Sequence, residues 1–126
     1  MKIACSKSNL LSAVNTVMKA VSTKTTLPIL ECILIEVSDR IKLTATDMEL
    51  GIETYVDGTI LEEGKIALEA KLFYEYIRRL PDSEISIETN EAFQAVIRCE
   101  KSKFSISGKS GYDFSLLPEV ERSHGI

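Results

Sequence analysis

Residues 31–56 read ECILIEVSDRIKLTATDMELGIETYV, and their pattern gives the first indication of the fold. It holds three runs rich in β-branched residues, 31–37, 40–46 and 49–56, separated by a Ser-Asp pair and a Thr-Asp pair. β-Branched side chains favour strands, whereas Ser and Asp favour turns because their side chains bond nearby backbone groups. The stretch therefore predicts an antiparallel meander of three strands.

The residues before the meander predict a strand, a helix and a connecting loop. KIACS (2–6) alternates weakly, as a strand does, and Ser6 or Ser8 can cap a helix over residues 8–21. Apolar residues recur on one face of this helix: Leu10, Leu11, Val14, Val17, Met18 and Val21. Pro28 lies in the loop, before the ladder begins, where its missing N–H costs little.

The residues after the meander predict a second helix between further strands. EGKIALEA (63–70) alternates, and AKLFYEYIRRL (70–80) is amphipathic and ends at Pro81. Its apolar face carries Phe73, Tyr76, Ile77 and Leu80, and its polar face carries Lys71, Glu75, Arg78 and Arg79. The segments SEISIE (83–88), FQAVIRC (93–99) and KFSIS (103–107) predict three more strands, and the tail 113–126 shows no periodicity.

These elements predict an α+β domain in which two amphipathic helices pack on antiparallel β-sheets. A helix followed by strands occurs twice, which hints at an internal near-duplication. The length of 126 residues suits one domain with a core of its own. A hydrophobic fraction of 44%, no apolar stretch of ~20 residues and no signal-peptide pattern favour a soluble cytoplasmic protein with no membrane partner.

Charge is distributed unevenly along the chain. The net charge is −4, but residues 1–30 hold no Asp or Glu and four lysines, so the remainder carries −8. Chance is one explanation, since lysines on a surface helix also serve solubility. A basic surface that meets a polyanion is the other.

The sequence offers few parts for catalysis or for a metal site. The only histidine, His124, lies in the aperiodic tail, and the three cysteines, Cys5, Cys32 and Cys99, lie far apart in strand-like runs. Asp47 and Glu49 form a carboxylate pair, but a turn residue usually bonds its own backbone. No glycine-rich phosphate-binding motif is present. We expect no enzyme activity, no metal and no cofactor.

Five stretches occur in an order that marks a family: residues 7–37 around TLPIL, LTATDMELGIE (43–53), AKLFYEYIRRLP (70–81), KFSISG (103–108) and LLPEV (116–120). Together they resemble the N-terminal domain of the bacterial sliding clamp, the beta subunit of DNA polymerase III. In that family three such domains form a chain, and two chains close head-to-tail into a ring around duplex DNA. The resemblance implies that residues 1–126 are one such domain, a fragment whose residues from about 119 to 126 begin the linker to a second domain.

The resemblance also implies a set of DNA contacts. Lys24 and Lys71 fall where the family has basic DNA-contacting residues. Further candidates, each open between facing DNA and lying on plain surface, are Lys7, Lys19, Arg78 and Arg79. Flexible lysine side chains suit a clamp because they bind phosphates without reading bases, which lets the ring slide.

A ring joint is implied as well, built from the strand 101–107 and the second helix. Its candidate residues are Tyr76, Leu80, Lys101, Lys103, Phe104 and Ile106. We expect 101–107 to be an edge strand whose apolar partners are unusually exposed, with another molecule against it in concentrated protein. In the family the polymerase and the clamp loader bind the other two domains, so the partners expected here are duplex DNA and a second clamp chain.

The function predicted is therefore that of a processivity factor, and any transferase label would belong to the polymerase holoenzyme. An alternative is an antiparallel interaction module that binds a partner through a strand edge and never meets DNA. An enzyme is a third possibility, which a buried carboxylate cluster in a deep cleft would favour.

Overall fold

The three strands of the predicted meander lie side by side at one end of a sheet in the computed structural model. The model describes residues 1–21, 32–46 and 51–110. The predictions for Lys24, Pro28, Asp47, Glu49, His124 and the tail 113–126 lie outside these residues. The described elements are β1 (Lys2–Ser6), α1 (Lys7–Met18), β2 (Cys32–Val37), β3 (Ile41–Thr46), β4 (Gly51–Val56), β5 (Gly58–Glu62), β6 (Gly64–Glu69), α2 (Ala70–Arg79), β7 (Glu84–Thr89), β8 (Gln94–Cys99), β9 (Ser102–Ser107) and β10 (Lys109–Ser110).

The strands form two five-stranded sheets whose described pairings are all antiparallel. The first has the order β5-β1-β7-β8-β9 and the second the order β10-β6-β2-β3-β4. Each half of the chain has the same element order, and each half gives its first and last strands to the sheet that holds the meander of the other half. The hint of a near-duplication thus agrees with the repeated element order, and the two halves exchange strands. The predicted α+β class is confirmed.

The core lies between the helices and the inner faces of both sheets. Leu10, Val14 and Val17 of α1 join Phe73 and Ile77 of α2 in one buried cluster with the inward residues of the strands. The two helices also pack against each other. Burying each such side chain contributes ~1.5–3 kcal/mol. Because the cluster contains residues of both helices, it connects both halves of the chain.

The ends of α1 follow from local hydrogen bonds. Ser6 caps the helix, because its hydroxyl accepts a hydrogen bond from the N–H of Asn9 at 3.2 Å. The helix was predicted to residue 21 but ends at Met18. The N–H groups of Ala20 and Val21 bond carbonyls three residues earlier, at Val17 and Met18, which tightens the last turn.

Two strands were not predicted, β5 and β10. β5 is largely exposed and its pairing with β1 shifts register between Lys2 and Ile3, so its residues show no clean alternation. The first residue of this strand is Gly58. Only glycine fits at this position, because a Cβ there would lie 2.5 Å from the carbonyl oxygen of Ala4. β10 has only two residues, too few for a periodic signal.

One prediction about exposure was wrong for two residues. Leu80 and Ile106, expected at the open joint, are each only 2% exposed and belong to the core cluster. The apolar face of β9 was read correctly from its alternation. This face packs largely against the chain's own core, which covers Ile106 without a partner chain.

Candidate nucleic-acid interface and open sheet edge

The exposed face of α1 is polar and almost uncharged. Its exposed residues are Ser8, Asn9, Ser12, Asn15 and Thr16, with Lys19 directly after the helix. Part of this face lines an open hollow of about 420 Å³ that ends at Lys19. Among the described residues of α1, hydroxyls and amides therefore outnumber charges on the surface that faces away from the core.

The exposed face of α2 carries most of the cations that the structure describes on the helices. Lys71 begins the helix, Arg78 and Arg79 end it, and all three are exposed. Glu75 lies between them and accepts a hydrogen bond from Arg78 at 2.8 Å, and Arg79 lies 3.7 Å from the same carboxylate oxygen. The hydrogen bond from Arg78, with the charges of both arginines, lowers the pKa of Glu75.

Lys7 differs from the other candidate cations because its ammonium group is bound within the fold. It donates hydrogen bonds to the carbonyl oxygens of Arg78, at 3.1 Å, and of Leu80, at 2.6 Å. These carbonyls lie at the C-terminal end of α2, where a cation also interacts favourably with the helix dipole. Lys7 thereby connects the start of α1 to the end of α2, and this structural role accounts for a lysine at this position.

Among the described strands, β9 lies at the end of its sheet, as predicted for residues 101–107. Lys101 and Lys103 are exposed. On the opposite face of the strand, Phe104 stacks on Tyr76 of α2, with ring centroids 4.5 Å apart and an interplanar angle of 13°. Both rings are half-buried, so the apolar surface at this edge consists of the stacked pair.

The six residues predicted for a joint therefore divide into two groups. Lys101, Lys103, Phe104 and Tyr76 lie at the surface of one edge, whereas Leu80 and Ile106 support it from the core. The stack and the role of Lys7 were missed. Neither leaves a signal in the local sequence, since the partners are far apart in the chain.

The remaining chemistry of the described residues is sparse. Cys5, Cys32 and Cys99 are free thiols and are buried, and burial, with a smaller effect from Glu84, raises the pKa of Cys5 to about 11. No group of three or more His, Cys, Asp or Glu residues is placed to hold a metal within residues 1–21, 32–46 and 51–110. Over the same residues, no helix has the length and apolarity that crossing a membrane requires.

Comparison with known proteins finds one matching family and several relatives of this chain. The model of one protein family, described as the DNA polymerase III beta subunit, N-terminal domain, matches residues 1–118. The Beta sliding clamp of Bacillus subtilis is 34% identical over 135 aligned positions, which cover 100% of this chain and 36% of that protein. The chain thus spans about a third of the length of this curated relative.

Solved structures give the same result. A putative DNA polymerase III beta subunit from Eubacterium rectale superimposes with a TM-score of 0.90 at 61% identity, covering 94% of this chain and 32% of that one. The sliding clamp from Bacillus subtilis gives a TM-score of 0.88 at 33% identity, covering 94% and 33%. In both, the matching region is about a third of a longer chain.

Proposed function

The chain belongs to the family of the DNA polymerase III beta subunit, whose N-terminal domain it matches, and we propose that it is one domain of a bacterial sliding clamp. Such a domain has no catalysis of its own. It helps to encircle duplex DNA without sequence preference and so keeps a polymerase on its template. The observation that carries the proposal is the family match over residues 1–118, together with a TM-score of 0.90 to a solved relative.

The helices supply the proposed DNA-facing surface. α1 and α2 pack against each other; Lys71, Arg78 and Arg79 lie on the exposed face of α2, and Lys19 directly follows α1. Lys24 belongs to the same proposal, although it lies outside the described residues. Cations on flexible side chains attract phosphates but leave base edges unread, which is what sliding requires. The ion pairs of Arg78 and Arg79 with Glu75 temper this charge, which favours a weak and mobile contact.

The ring joint is proposed at the β9 edge. Its exposed backbone edge, Lys101 and Lys103 would meet another clamp domain, and the Tyr76–Phe104 stack would supply apolar contact. Leu80 and Ile106 act in this proposal only by holding the helix and the strand in place. A second clamp chain completes the ring. Polymerase and clamp-loader contacts are assigned to the other domains of a three-domain protein, in which residues from about 119 to 126 would begin the linker, and the setting is the cytoplasm.

Duplex binding by residues 1–126 tests the DNA-facing surface. We expect fluorescence anisotropy with a duplex of mixed sequence to report weak binding whose affinity falls steeply between about 50 and 200 mM salt. Lys71→Glu should lower the affinity at least about fivefold and flatten the salt dependence. Lys109→Glu is the matched control, because Lys109 is exposed on β10 opposite Ala67, whose side chain lies on the sheet face away from the core cluster.

Three results would contradict the proposal. Binding that is indifferent to salt and binding that depends on one sequence would each contradict a sliding contact with phosphates, and equal loss in the Lys71→Glu and Lys109→Glu variants would remove the helices from the DNA-facing role. Dependence on one sequence would favour a sequence reader, and the absence of any duplex binding would favour the interaction module. In the full-length protein, Lys24→Glu and Lys71→Glu should impair loading or processive synthesis while leaving thermal unfolding unchanged.

A further inference from the structure

The turn that follows α2 is bound by a single residue of α1. The ammonium group of Lys7 donates hydrogen bonds to the carbonyl oxygens of Arg78, at 3.1 Å, and Leu80, at 2.6 Å. The backbone N–H of Lys7 donates a third hydrogen bond, to the carbonyl oxygen of Ser83 at 3.0 Å. The side chain and the main chain of Lys7 therefore bind the two ends of the connection between α2 and β7.

The same end of α2 carries two arginines of the proposed DNA-facing surface. Arg78 and Arg79 are the last residues of the helix, and their side chains are 54% and 67% exposed. Glu75 accepts a hydrogen bond from Arg78 at 2.8 Å and lies 3.7 Å from Arg79, and the guanidinium of Arg78 lies 5.8 Å from the ring centroid of Tyr74. These partners belong to α2 itself, so the direction of both arginines depends on how the last turn of the helix is held.

The last turn of α2 has a weak hydrogen-bonding pattern of its own. The last four carbonyl groups of an α-helix lack partners within the helix. Leu80 is already extended, with φ −74° and ψ 154°, and its N–H bonds the carbonyl of Ile77 only three residues earlier. Pro81 follows and has no N–H to donate. The carbonyl oxygens that Lys7 binds lie at and just beyond this end, so Lys7 serves as a cap for α2.

This arrangement argues against a direct contact between Lys7 and a phosphate. The side chain of Lys7 is half-buried, and two of its three N–H donors are used by the carbonyl oxygens of Arg78 and Leu80. Moving the ammonium outward would uncover both oxygens at a helix C-terminus, whose partial negative charge repels a phosphate. Lys7 therefore contributes most to a DNA-facing surface while it stays bound to α2.

We propose that Lys7 is a positioning residue for duplex DNA, which acts through Arg78 and Arg79 and contacts no phosphate itself. By holding the last turn of α2, it fixes the backbone from which both guanidinium groups extend. The inference rests on the proposed function, because it assigns a role within the DNA-facing surface of α2. It predicts that the loss of Lys7 weakens duplex binding only while the two arginines are present.

A double-mutant cycle in duplex affinity tests this prediction. Lys7→Met is measured by fluorescence anisotropy in two backgrounds of residues 1–126, the unmodified chain and the chain with both Arg78→Gln and Arg79→Gln. With the arginines present, the affinity should fall about fivefold, and without them it should fall less than about twofold, because residues that act together have non-additive effects. A phosphate contact made by Lys7 itself would cost the same in both backgrounds.

The salt dependence separates the two roles in a second way. Each phosphate contact contributes about −0.9 to the slope of log affinity against log salt. In the background that lacks the arginines, Lys7→Met should leave this slope unchanged, whereas the loss of a direct contact would flatten it by about 0.9.

Two controls match the side effects of Lys7→Met. Lys109→Met removes the same charge from β10, which lies in the sheet that does not hold β7, and it should change the affinity less than about twofold. Ile35→Val opens a small cavity at a buried position of that same sheet and lowers the stability without touching the end of α2, so the affinity should stay unchanged. Thermal unfolding of each variant verifies that it is folded at the assay temperature.

The proposal is overturned if Lys7→Met costs the same affinity in both backgrounds, if it costs no more than Lys109→Met, or if Ile35→Val causes an equal loss. Absence of duplex binding by the unmodified chain would remove the proposed function, and this inference with it. Binding that Lys71→Glu weakens and Lys7→Met does not would leave the DNA-facing surface in place and reject only the positioning role, so the two failures are distinguishable.

Discussion

The two halves of this chain share one order of elements but differ in the chemistry of their surfaces. In the first half, α1 packs against β4 across a small polar cleft of about 160 Å³, lined largely by hydroxyl, amide and carboxylate groups. In the second half, α2 meets β9 through the Tyr76–Phe104 stack and carries a cluster of paired charges. The same arrangement of helix and edge strand is thus polar and acidic on one side and aromatic and basic on the other.

This difference separates what the fold determines from what the surface determines. The repeated element order sets the position of two helices and, among the described strands, of two strands at sheet ends, β4 and β9. Residues that contribute little to the core then decide what each helix and each edge can bind. Polar substitutions of core residues should therefore have large effects on stability. Substitutions of surface residues on the helices and edges should have small effects on stability and larger ones on binding.

The largest effect is expected within β9 itself. Ile106→Asp places a carboxylate in the core, so the free energy of unfolding should fall by about 3 kcal/mol or more. Ser105→Asp, one residue earlier on the exposed face, should change it by less than about 0.5 kcal/mol. Urea denaturation of both variants measures the difference. Similar stability in the two would show that β9 does not bury Ile106.

A smaller loss is expected where the two halves are tied together by Lys7. Lys7→Met removes two hydrogen bonds to the end of α2 and should lower the free energy of unfolding by about 1 kcal/mol, discounted because the residue is only half-buried. Lys19→Met, at the other end of α1, should be close to neutral. Equal effects from both substitutions in denaturant titrations would argue against the tie.

The aromatic stack should contribute a coupling of about 0.5–1 kcal/mol. A double-mutant cycle with Tyr76→Ala, Phe104→Ala and the combination isolates that interaction from the burial of each ring. Additive losses in unfolding free energy would mean that the rings are neighbours without a specific contact. The first half of the chain offers no such pair between α1 and β4 among its described residues.

The smallest effect on stability is expected from Glu75→Gln, which releases Arg78 and Arg79. Because folding lowers the pKa of Glu75, its contribution is present above its unfolded pKa and is lost as pH falls through the folded value. The melting temperature should therefore shift slightly at pH 7, and the shift should vanish as the pH falls below the folded pKa of Glu75. Duplex affinity should rise about threefold, because two cations become free. An unchanged affinity would separate these arginines from the DNA-facing surface.

Local patterns predicted most of the elements and few of their relationships. Both helices, the meander β2–β4 and the strands β6–β9 follow from periodicity and turn residues. The pairing of β1 with β7 and of β6 with β2 leaves no local trace, because it joins distant segments. Alternation identified the inner face of β9, but no pattern could tell whether the chain's own core or a partner covers Ile106.

The candidate site divides in a similar way. Lys71, Arg78 and Arg79 are exposed on the polar face predicted for the second helix, since helical spacing alone sets that face. Lys7 shares the charge of these residues but not their surroundings, and only the fold brings its ammonium group to the end of α2. The sequence therefore shows which residues are cations, but not which of them are free to bind a phosphate.

The exchanged strands also affect how the protein is made. β1 needs β7 beside it, and the bonding between them joins the first residues of the chain to residues 84–89. A ribosome that has produced only the first half has released β1 and α1 with no sheet on which β1 can pair with β7. Contacts of such separation form slowly, because a long loop must close before they are gained. The first half should therefore remain protease-sensitive on the ribosome until β7 and β8 emerge, which limited proteolysis of stalled chains can time.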